Sequence, residues 1–345
     1  MRVLELRPLD MSFFRPPAGV TQAGVHGPSA MVKSLSYPMP STIAGALAAI
    51  AYRTGKCSLD QANVDVDEFE DQYTCLEALL GEEFALRPGL ARVNGEVYAY
   101  TGSRELTLLK TLLDTGKKAS QSGSGRYSLR HVGFIGIALQ RGSKAVVEGN
   151  LYHADAVDYP GAGASILVIA HGATGDLPST VIPLGAETRM AALQPIEINE
   201  EQVKLYNGAG GTGRWRAILL TPALLRKAPS SVNGVILASS QSLAAELGEL
   251  LVEGSVEAVK KCVEEARVEV VPRGELQAEI LNSGWSMLEG RARRPYLILP
   301  PGTEVSVRIK SRECVEEVAK KGLGAHSRLG WGTAALRPDT NPTSS

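Results

Sequence analysis

The alternation of apolar and polar residues predicts where most secondary-structure elements of this chain lie. Residues 2–6 (RVLEL) alternate with a period of two, as in a half-buried strand. From Thr42 the sequence TIAGALAAIAYR carries an apolar stripe at helical spacing on an alanine-rich background, with Ser41 as the expected N-cap. This helix should be buried on nearly all sides against a sheet.

The remaining elements follow the same two periodicities. The basic, Ser/Gly-rich segment 117–131 is predicted to be a mobile loop, and residues 57–86 a helix with loops. Residues 184–193 indicate a tight turn that enters a strand. Strands are expected at 132–139, 145–157, 165–171, 214–222, 275–280, 295–300 and 304–309, an amphipathic segment at 105–114, and helices over most of 240–266 and at 311–321.

Taken in order, these elements predict an α+β fold of two ferredoxin-like (RRM-like) βαββαβ domains with large insertions. The first domain is expected at residues 1–198, with an insertion at about 53–131, and the second at residues 199–338. A C-terminal glycine-rich loop, residues 322–332, ends the second domain. The tail, residues 339–345, is expected to be disordered.

Length and composition exclude several classes of protein. The chain has 345 residues, enough for about two domains, and its 44% hydrophobic and 21% charged residues are ordinary for a soluble globular protein. Neither a membrane-spanning run nor a signal-peptide core occurs. The four cysteines fit neither a zinc knuckle nor a disulfide framework, although pairing between distant cysteines stays open. We therefore expect a cytoplasmic protein.

Charge is segregated along the chain, although the net charge is only -1. Residues 57–86 hold nine acids and no Lys or Arg, whereas residues 104–144 hold eight bases against two acids. Solvated faces explain such runs, but the segregation also fits a basic face that meets a polyanion and an acidic face that meets a protein. A third basic cluster near Trp285 consists of Arg291, Arg293 and Arg294.

Two glycine-rich segments differ in what they indicate. The G-x-G-x-x-G at 208–213 opens into a strand rather than a helix, so it lacks a pyrophosphate site and we treat it as chance. The segment 322–332 (GLGAHSRLGWG) has two Gly-x-Gly pairs, each enclosing a hydrophobic residue. We expect a tight loop whose backbone N–H groups approach phosphates, with His326, Ser327 and Arg328 as donors at its tip. A plain glycine-rich β-turn is the alternative.

This loop resembles the C-terminal glycine-rich loop of the RAMP superfamily, the ferredoxin-fold RNA-binding proteins of CRISPR systems. Other blocks cover nearly the whole chain and resemble the third subunit of the type III-B (Cmr) effector complex. The family's Gly-Gly-Glu-Arg sequence corresponds to residues 185–189, which puts its arginine at Arg189. The matching blocks are RPLDMSFFR, YPMPSTIAGAL, HVGFIGIAL, EGNLYHAD, LGAETRMAAL, RAILLTPALL and SGWSMLEGRARRPYLILPPGTEVSV.

The resemblance implies a non-catalytic RNA-binding subunit with no cofactor or metal. It would hold the repeat-derived 5′ tag of the CRISPR RNA (crRNA), dock on the large cyclase/polymerase-like subunit and abut the adjacent backbone subunit. Splayed bases and backbone clamps suit such a short single-stranded tag. The residues expected to contact RNA are Phe14, Arg15, Ser41, Thr42, Arg126, Arg130, His131, Arg189, Trp285, Arg291, Arg293, Arg294, Gly322, Gly324, His326, Ser327, Arg328, Gly330 and Gly332.

Some of these residues have structural alternatives. At least one of Phe13 and Phe14 is expected in the core, and Trp285 fits an interdomain core equally well. The basic residues of the 117–131 loop fit solvated positions as well as an RNA clamp. The acidic stretch 57–86 is expected to face solvent or a basic patch on the large subunit.

A catalytic role is the rival prediction, because some RAMP proteins are metal-independent endoribonucleases that process crRNA with a histidine. His26 and His131 are the candidates here, and the sequence suggests a partner for neither. A small-molecule enzyme is a third class, supported only by the misplaced G-x-G-x-x-G.

Overall fold

Two antiparallel sheets organise the molecule, a long one in the first half of the chain and a shorter one in the second. The computed structural model describes residues 1–14, 31–59, 64–102, 104–114, 125–139, 146–185, 189–208, 213–227, 241–270, 279–282, 285–286 and 288–339. The fold of these residues is mixed α+β, as the sequence predicts.

Strands outnumber helices in both halves. The strands are β1 (Arg2–Pro8), β2 (Met31–Lys33), β3 (Ala85–Val93), β4 (Glu96–Tyr100), β5 (Glu105–Leu108), β6 (Arg126–Ser128), β7 (His131–Leu139), β8 (Val146–Val157), β9 (Ala164–His171), β10 (Thr180–Pro183), β11 (Met190–Ile196), β12 (Gly213–Leu219), β13 (Ala223–Leu225), β14 (Val263–Val270), β15 (Glu279–Asn282), β16 (Trp285–Ser286), β17 (Arg291–Ala292), β18 (Pro295–Leu299), β19 (Glu304–Ile309) and β20 (Ala334–Pro338). The helices are α1 (Pro40–Arg53), α2 (Glu70–Leu80), α3 (Leu109–Leu113), α4 (Glu200–Val203), α5 (Gln241–Gly254), α6 (Glu257–Cys262) and α7 (Arg312–Lys321).

The long sheet has the strand order β10-β11-β1-β9-β3-β4-β5-β6. The strand predicted at 2–6 is central, because β1 pairs antiparallel with both β9 and β11. Helices α1 and α2 pack on one face of this sheet, where their apolar side chains join those of the strands in one core. The alanine-rich helix predicted from the sequence is therefore confirmed in its buried position.

The connection from β9 to β11 departs from the predicted βαββαβ plan. In the part of this connection that the structure describes, strand β10 stands where a second helix was expected. Residues 172–184 contain two Gly, two Pro and two Thr, which all disfavour a helix. Helix α2, supplied by the insertion, packs beside α1 and completes the helical layer.

Helix α1 begins earlier than predicted, at Pro40. Its N-cap is Met39, which makes no side-chain capping bond, so the expectation that Ser41 is the cap is wrong. Proline suits the first turn because an N–H at that position has no partner within the helix. Ser41 is buried, its carbonyl accepts a hydrogen bond from Gln72 Nε2 at 3.2 Å, and the Thr42 N–H donates to the Met39 carbonyl.

The shorter sheet has the strand order β14-β19-β12-β20. Helix α5 lies between β12 and β14 in the chain, α7 joins β19 to β20, and both pack against the inner face of the sheet. Gly213, the last glycine of the G-x-G-x-x-G, starts β12, so this motif does open into a strand. Asp339, placed in the expected disordered tail, donates its N–H to the Arg214 carbonyl at 3.0 Å; residues 340–345 lie outside the described residues.

The two halves contribute to each other's core. The face of the long sheet opposite α1 packs against the second half through Val3, Leu90 and Ile169. In the other direction, Leu329 and Trp331 from the C-terminal end of the chain belong to the core of the first half. The halves are thus packed into each other, and the division near residue 198 stays a prediction.

All four cysteines are paired, which corrects the expectation that they form no disulfide framework. Cys57 is bonded to Cys75, joining the segment after α1 to α2, and Cys262 is bonded to Cys314, joining α6 to α7. The sequence hides these pairs because their members are 18 and 52 positions apart. Among the described helices, none has the length and apolar character needed to cross a bilayer.

Candidate functional site

The glycine-rich loop lies between the two halves of the molecule and is buried there. Its four glycines all have positive φ angles, from 63° at Gly332 to 99° at Gly330. A Cβ on Gly330 would lie 2.5 Å from Pro88, and one on Gly324 would lie 2.8 Å from the Leu224 carbonyl. Glycine is required because main chains and side chains of both halves approach the loop too closely for a side chain.

Several backbone N–H groups of this loop are used within the protein. Leu323 donates to the Gly332 carbonyl at 2.9 Å, and Gly324 donates to Ser255 Oγ at 2.8 Å. Ala325 donates to the carbonyl of Leu224 at 2.9 Å. The expectation of bare N–H groups open to phosphates is therefore wrong for these positions.

A buried arginine from the first half fixes the loop. Arg87 of β3 is wholly buried, and its Nε donates to the Lys320 carbonyl at 2.8 Å while Nη1 donates to the Ser327 carbonyl at 2.6 Å. Burial lowers the pKa of Arg87 to about 9, so the guanidinium stays charged at neutral pH. No sequence motif singles out this residue, whose one signal is its position, shared with Arg92, inside the otherwise apolar run ALRPGLARV.

The three residues at the tip of the loop face the protein. His326 is 8% exposed, and its ring lies 4.9 Å from the ring of Phe69. Ser327 is 1% exposed, and Arg328 pairs with Glu77 at 3.1 Å. The expectation of an open polar tip is wrong, because the acidic insertion covers it; RNA contact by these residues and by Gly322, Gly324, Gly330 and Gly332 stays a prediction.

The imidazole of His326 is neutral in the folded protein. Burial, assisted by Arg226, Arg294 and Arg293, lowers its pKa to about 3. Glu68 Oε2 lies 3.3 Å from Nε2, but the three cations and the loss of water outweigh this one carboxylate. Burial and nearby cations likewise lower the pKa of His171 to about 3.

These two histidines predict a loss of stability on mild acidification. An unfolded histidine binds a proton near pH 6.5, whereas folded His326 binds one only near pH 3, so the free energy of unfolding falls as pH drops through this window. Replacing His326 with Asn, which tolerates positive φ, should remove about 1.5 kcal/mol of the decrease between pH 6.5 and about pH 5. Urea unfolding of the wild type and the variant at the two pH values measures this decrease in the free energy of unfolding. Equal decreases in the two proteins would contradict a neutral imidazole in the folded state.

The basic cluster near Trp285 pairs with the acidic insertion of the same chain. Arg293 is 2% exposed, pairs with Asp71 at 2.5 Å and stacks its guanidinium 4.9 Å from the centre of the Phe69 ring. Arg291 contacts both carboxylate oxygens of Asp67 at 3.1 Å, which contributes most to lowering the pKa of that carboxyl group.

The third arginine of the cluster has acidic partners too, and RNA contact by Trp285, Arg291, Arg293 and Arg294 stays a prediction. Arg294 pairs with Glu68 and donates its backbone N–H to Asp67 Oδ1 at 2.7 Å, so the cluster is neutralised within the chain. The part of the acidic stretch around Asp67 contacts these arginines, and contact of the stretch with another subunit stays a prediction. The two runs lie more than 200 residues apart, so no local pattern shows that they meet. Trp285 lies in β16 opposite Ala292 of β17.

The aromatic and arginine candidates near the N-terminus also have internal partners. Phe13 and Phe14 are 5% and 3% exposed, and Phe14 packs edge-on to Tyr159, so both belong to the interior. Arg189 pairs with Asp10 at the surface. Arg15 and His26 lie outside the described residues.

The corner between β6 and β7 keeps two basic residues at the surface. The side chain of Arg126 is 71% exposed and lies 3.3 Å from Glu105. Arg130 is exposed, and within the described residues its side chain has neither an ion pair nor a hydrogen bond. These are the candidate RNA contacts that the structure leaves most accessible.

His131, the next residue, is held in a buried polar network. Its Nε2 lies 3.1 Å from Ser36 Oγ, and its Nδ1 lies 3.3 Å from Asp155 Oδ2 without hydrogen-bond geometry. Asp155 also pairs with Arg104 at 3.0 Å and accepts the Ser34 N–H at 2.5 Å. Burial lowers the pKa of His131, while Asp155 opposes that effect. The network fixes the segment before α1, and no sequence pattern indicates either partner.

Within the described residues, no group of three or more His, Cys, Asp or Glu side chains is placed to hold a metal ion.

Comparisons with known proteins agree on a family and a fold. Residues 119–337 match the model of the family described as "CRISPR-associated protein (Cas_Cmr3)". A chain of the "Cryo-EM structure of the Type III-B Cmr-beta bound to cognate target RNA and AMPPnP, state 1" is 15% identical, with a TM-score of 0.56 over 97% of this chain and 99% of that chain. This likeness shows a shared fold over nearly the whole chain.

Two further structures are similar at lower scores. A chain of the "Cryo-EM structure of the Type III-B Cmr-beta bound to cognate target RNA" is 16% identical, with a TM-score of 0.49 over 94% of this chain and 96% of that chain. The "CRISPR endoribonuclease Cse3 bound to 19 nt RNA" is 17% identical, with a TM-score of 0.23 over 61% of this chain and 80% of that chain. A search of curated proteins finds no match.

Proposed function

This chain belongs to the CRISPR-associated Cas_Cmr3 family, and from that membership we propose that it is a structural subunit of a type III-B (Cmr) effector complex. In this role it binds the repeat-derived 5′ tag of crRNA, docks on the large cyclase/polymerase-like subunit and contacts the adjacent backbone subunit. It holds RNA and does not cleave it. The observation that carries the proposal is the family match over residues 119–337.

The strand orders support a plan of two ferredoxin-like units. In the second half, β12, α5, β14, β19, α7 and β20 follow one another in βαββαβ order, and the sheet reads β14-β19-β12-β20. Strands β3, β9, β1 and β11 repeat this relative order within the long sheet. Such a pair of units is what the RAMP resemblance implies.

Arg126 and Arg130 support tag binding by their accessibility. The ion pair of Arg126 with Glu105 joins two exposed side chains, and such pairs contribute at most about 1 kcal/mol. A phosphate can therefore replace the carboxylate at little cost. Arg130 is exposed beside it, and two guanidinium groups at one corner suit adjacent phosphates of a single strand.

The test uses the full chain, alone and with its large subunit, titrated with labelled crRNA that carries, lacks or scrambles the 5′ tag. EDTA is present throughout, and the RNA is then run on a denaturing gel. We expect tag-dependent binding without cleavage, and Arg126→Gln with Arg130→Gln should weaken it about tenfold. The matched control, Arg53→Gln with Lys56→Gln, removes the same charge from the exposed end of α1 and the turn after it. Equal affinity for tagged and scrambled RNA would refute tag recognition.

Cleavage at a defined site in EDTA would instead favour the rival, a metal-independent endoribonuclease. One observation favours this rival: the Ser36 hydroxyl and the Asp155 carboxylate lie on either side of the His131 ring. Against it, the His131 side chain is 7% exposed and Ser36 is 3% exposed, so a scissile phosphate has little access to them. His131→Ala would abolish such cleavage.

A further inference from the structure

The outer face of the shorter sheet is made largely of charged residues. Along β12 the side chains alternate, with Trp215 and Ala217 buried against the helices and Arg214 and Arg216 on the opposite face. The other three strands follow the same alternation, because Val307 of β19, Ala266 of β14 and Leu336 of β20 belong to the inner core. The outward positions of the paired strands carry Arg267, Ser306, Arg308 and Arg337, together with the acids Glu265 and Glu304.

The strand register brings these arginines into rows. Arg216 lies directly opposite Arg337 on one side and Ser306 on the other, and Ser306 lies opposite Arg267. This row crosses all four strands of the sheet. In the next row, Arg214 lies directly opposite Arg308.

Two of these juxtapositions place like charges opposite each other, and in each pair one arginine also has an acidic partner. Like charges at directly opposite positions of antiparallel strands repel each other, and Arg214 faces Arg308 just as Arg216 faces Arg337. A bound anion relieves the repulsion, because it bridges the two guanidinium groups.

The acids on this face neutralise only some of the arginines. Arg216 pairs with Glu304 at 2.9 Å and Asp339 at 3.3 Å, and Arg308 pairs with Glu265 at 3.3 Å. Within the described part of the chain, neither Arg214 nor Arg267 pairs with an acid. Arg337 donates to the Leu112 carbonyl at 3.4 Å.

We propose that the outer face of β14-β19-β12-β20 binds the sugar–phosphate backbone of single-stranded RNA through Arg214, Arg267, Arg308 and Arg337. The inference rests on the proposed function, because it assumes that the ligand is RNA. It adds a second RNA-binding surface, which is separate from the tag-binding site and does not distinguish base sequences. Guanidinium groups match phosphate oxygens in a bidentate geometry. The described outward positions carry no aromatic side chain, so contact falls on phosphates and not on bases.

RNA fits this face better than an acidic protein does. A protein interface is built around an apolar, charge-depleted centre, whereas the strongly exposed large hydrophobic residues of the described chain all lie outside this sheet. A row with an arginine on three of its four strands suits a ligand whose charges repeat along its length. Such a ligand is a nucleic-acid strand.

The experiment measures the salt dependence of binding to fluorescent RNA of scrambled sequence, using the full chain. Arg214→Gln, Arg267→Gln and Arg308→Gln together should lower the slope of log K against log salt by about 2, since each contact with a single strand contributes about 0.7. Extrapolated from equal affinities at about 1 M salt, this change in slope makes the triple variant bind about a hundredfold more weakly than the wild type at about 0.1 M salt. Thermal unfolding should show no loss of stability, because the substitutions remove repulsion.

The control variant neutralises Arg53, Lys56 and Arg312, three exposed cations on α1, the turn after it and α7. It has the same net charge, and we expect it to keep the wild-type slope. A triple variant with wild-type slope and affinity, an equal effect in the control, or no RNA binding by the wild type at low salt would each overturn the proposal. Scrambled RNA lacks the tag, so it tests this surface apart from tag recognition. If the wild type bound tagged and scrambled RNA equally well and the triple variant still lowered the salt slope, only the proposed function would be refuted.

Discussion

Gly332→Ala is expected to lower the free energy of unfolding by about 4 kcal/mol, near the upper end for single substitutions. Its φ angle is +63°, and a Cβ there would lie 1.7 Å from the Leu323 carbonyl oxygen. That oxygen belongs to the backbone, so it moves only if the loop opens. Opening removes the hydrogen bond from the Leu323 N–H to the Gly332 carbonyl and displaces Trp331, which is wholly buried.

Gly95→Ala is the matched control for this prediction. Gly95 has a φ angle of +85°, but a Cβ there meets no atom within 4 Å. It therefore carries the cost of a left-handed alanine alone, about 1–2 kcal/mol. Urea unfolding of both variants separates backbone strain from packing, and equal losses would contradict the close approach at the joint between the halves.

Arg293→Ala is expected to cost about 3–5 kcal/mol, because it leaves a carboxylate without its partner in a poorly solvated site. The side chain of Arg293 is 1% exposed and that of Asp71 is 12% exposed. The substitution also removes the cation above the Phe69 ring. Elimination of both charges in Arg293→Met with Asp71→Asn should restore part of the loss, since a neutral pair needs no counterion.

The neighbouring pair, Arg291 with Asp67, offers an internal comparison. The two side chains are 48% and 25% exposed, so Arg291→Ala should cost much less than Arg293→Ala. Denaturation of the single variants and a double-mutant cycle on Arg293 and Asp71 test the contrast. Equal losses of unfolding free energy in Arg291→Ala and Arg293→Ala, or no coupling energy between Arg293 and Asp71, would mean that burial does not set the strength of the Arg293–Asp71 ion pair.

Elements with an apolar period were predictable from the sequence. Strands β1, β7, β8, β9, β12 and β19 and helices α1 and α7 follow the predicted segments closely. The hairpin of β3 and β4 was missed because the acidic stretch before it was taken to extend to residue 86. Its signal is the dipeptide Asn94–Gly95, where both residues have positive φ as a tight hairpin turn requires.

The candidate site was less predictable because its contacts join distant segments. Arg293 and Asp71, Arg87 and Ser327, and the cysteine pairs each combine residues that no local period relates. Charge runs were read as surfaces, whereas Asp67 and Arg291 neutralise each other inside one chain. By contrast, the arginines of the shorter sheet stand in an ordinary strand alternation, and only the register shows that they form rows.

The contribution of Leu329 and Trp331 to the core of the first half sets the order in which this protein matures on the ribosome. Domains usually fold as units while the chain is still being made, the N-terminal one first. Here the apolar surface of the first half waits for residues that are translated after almost all of the second half. The nascent chain therefore exposes that surface until the glycine-rich loop has left the ribosome, and the release of this loop is the event that closes both halves.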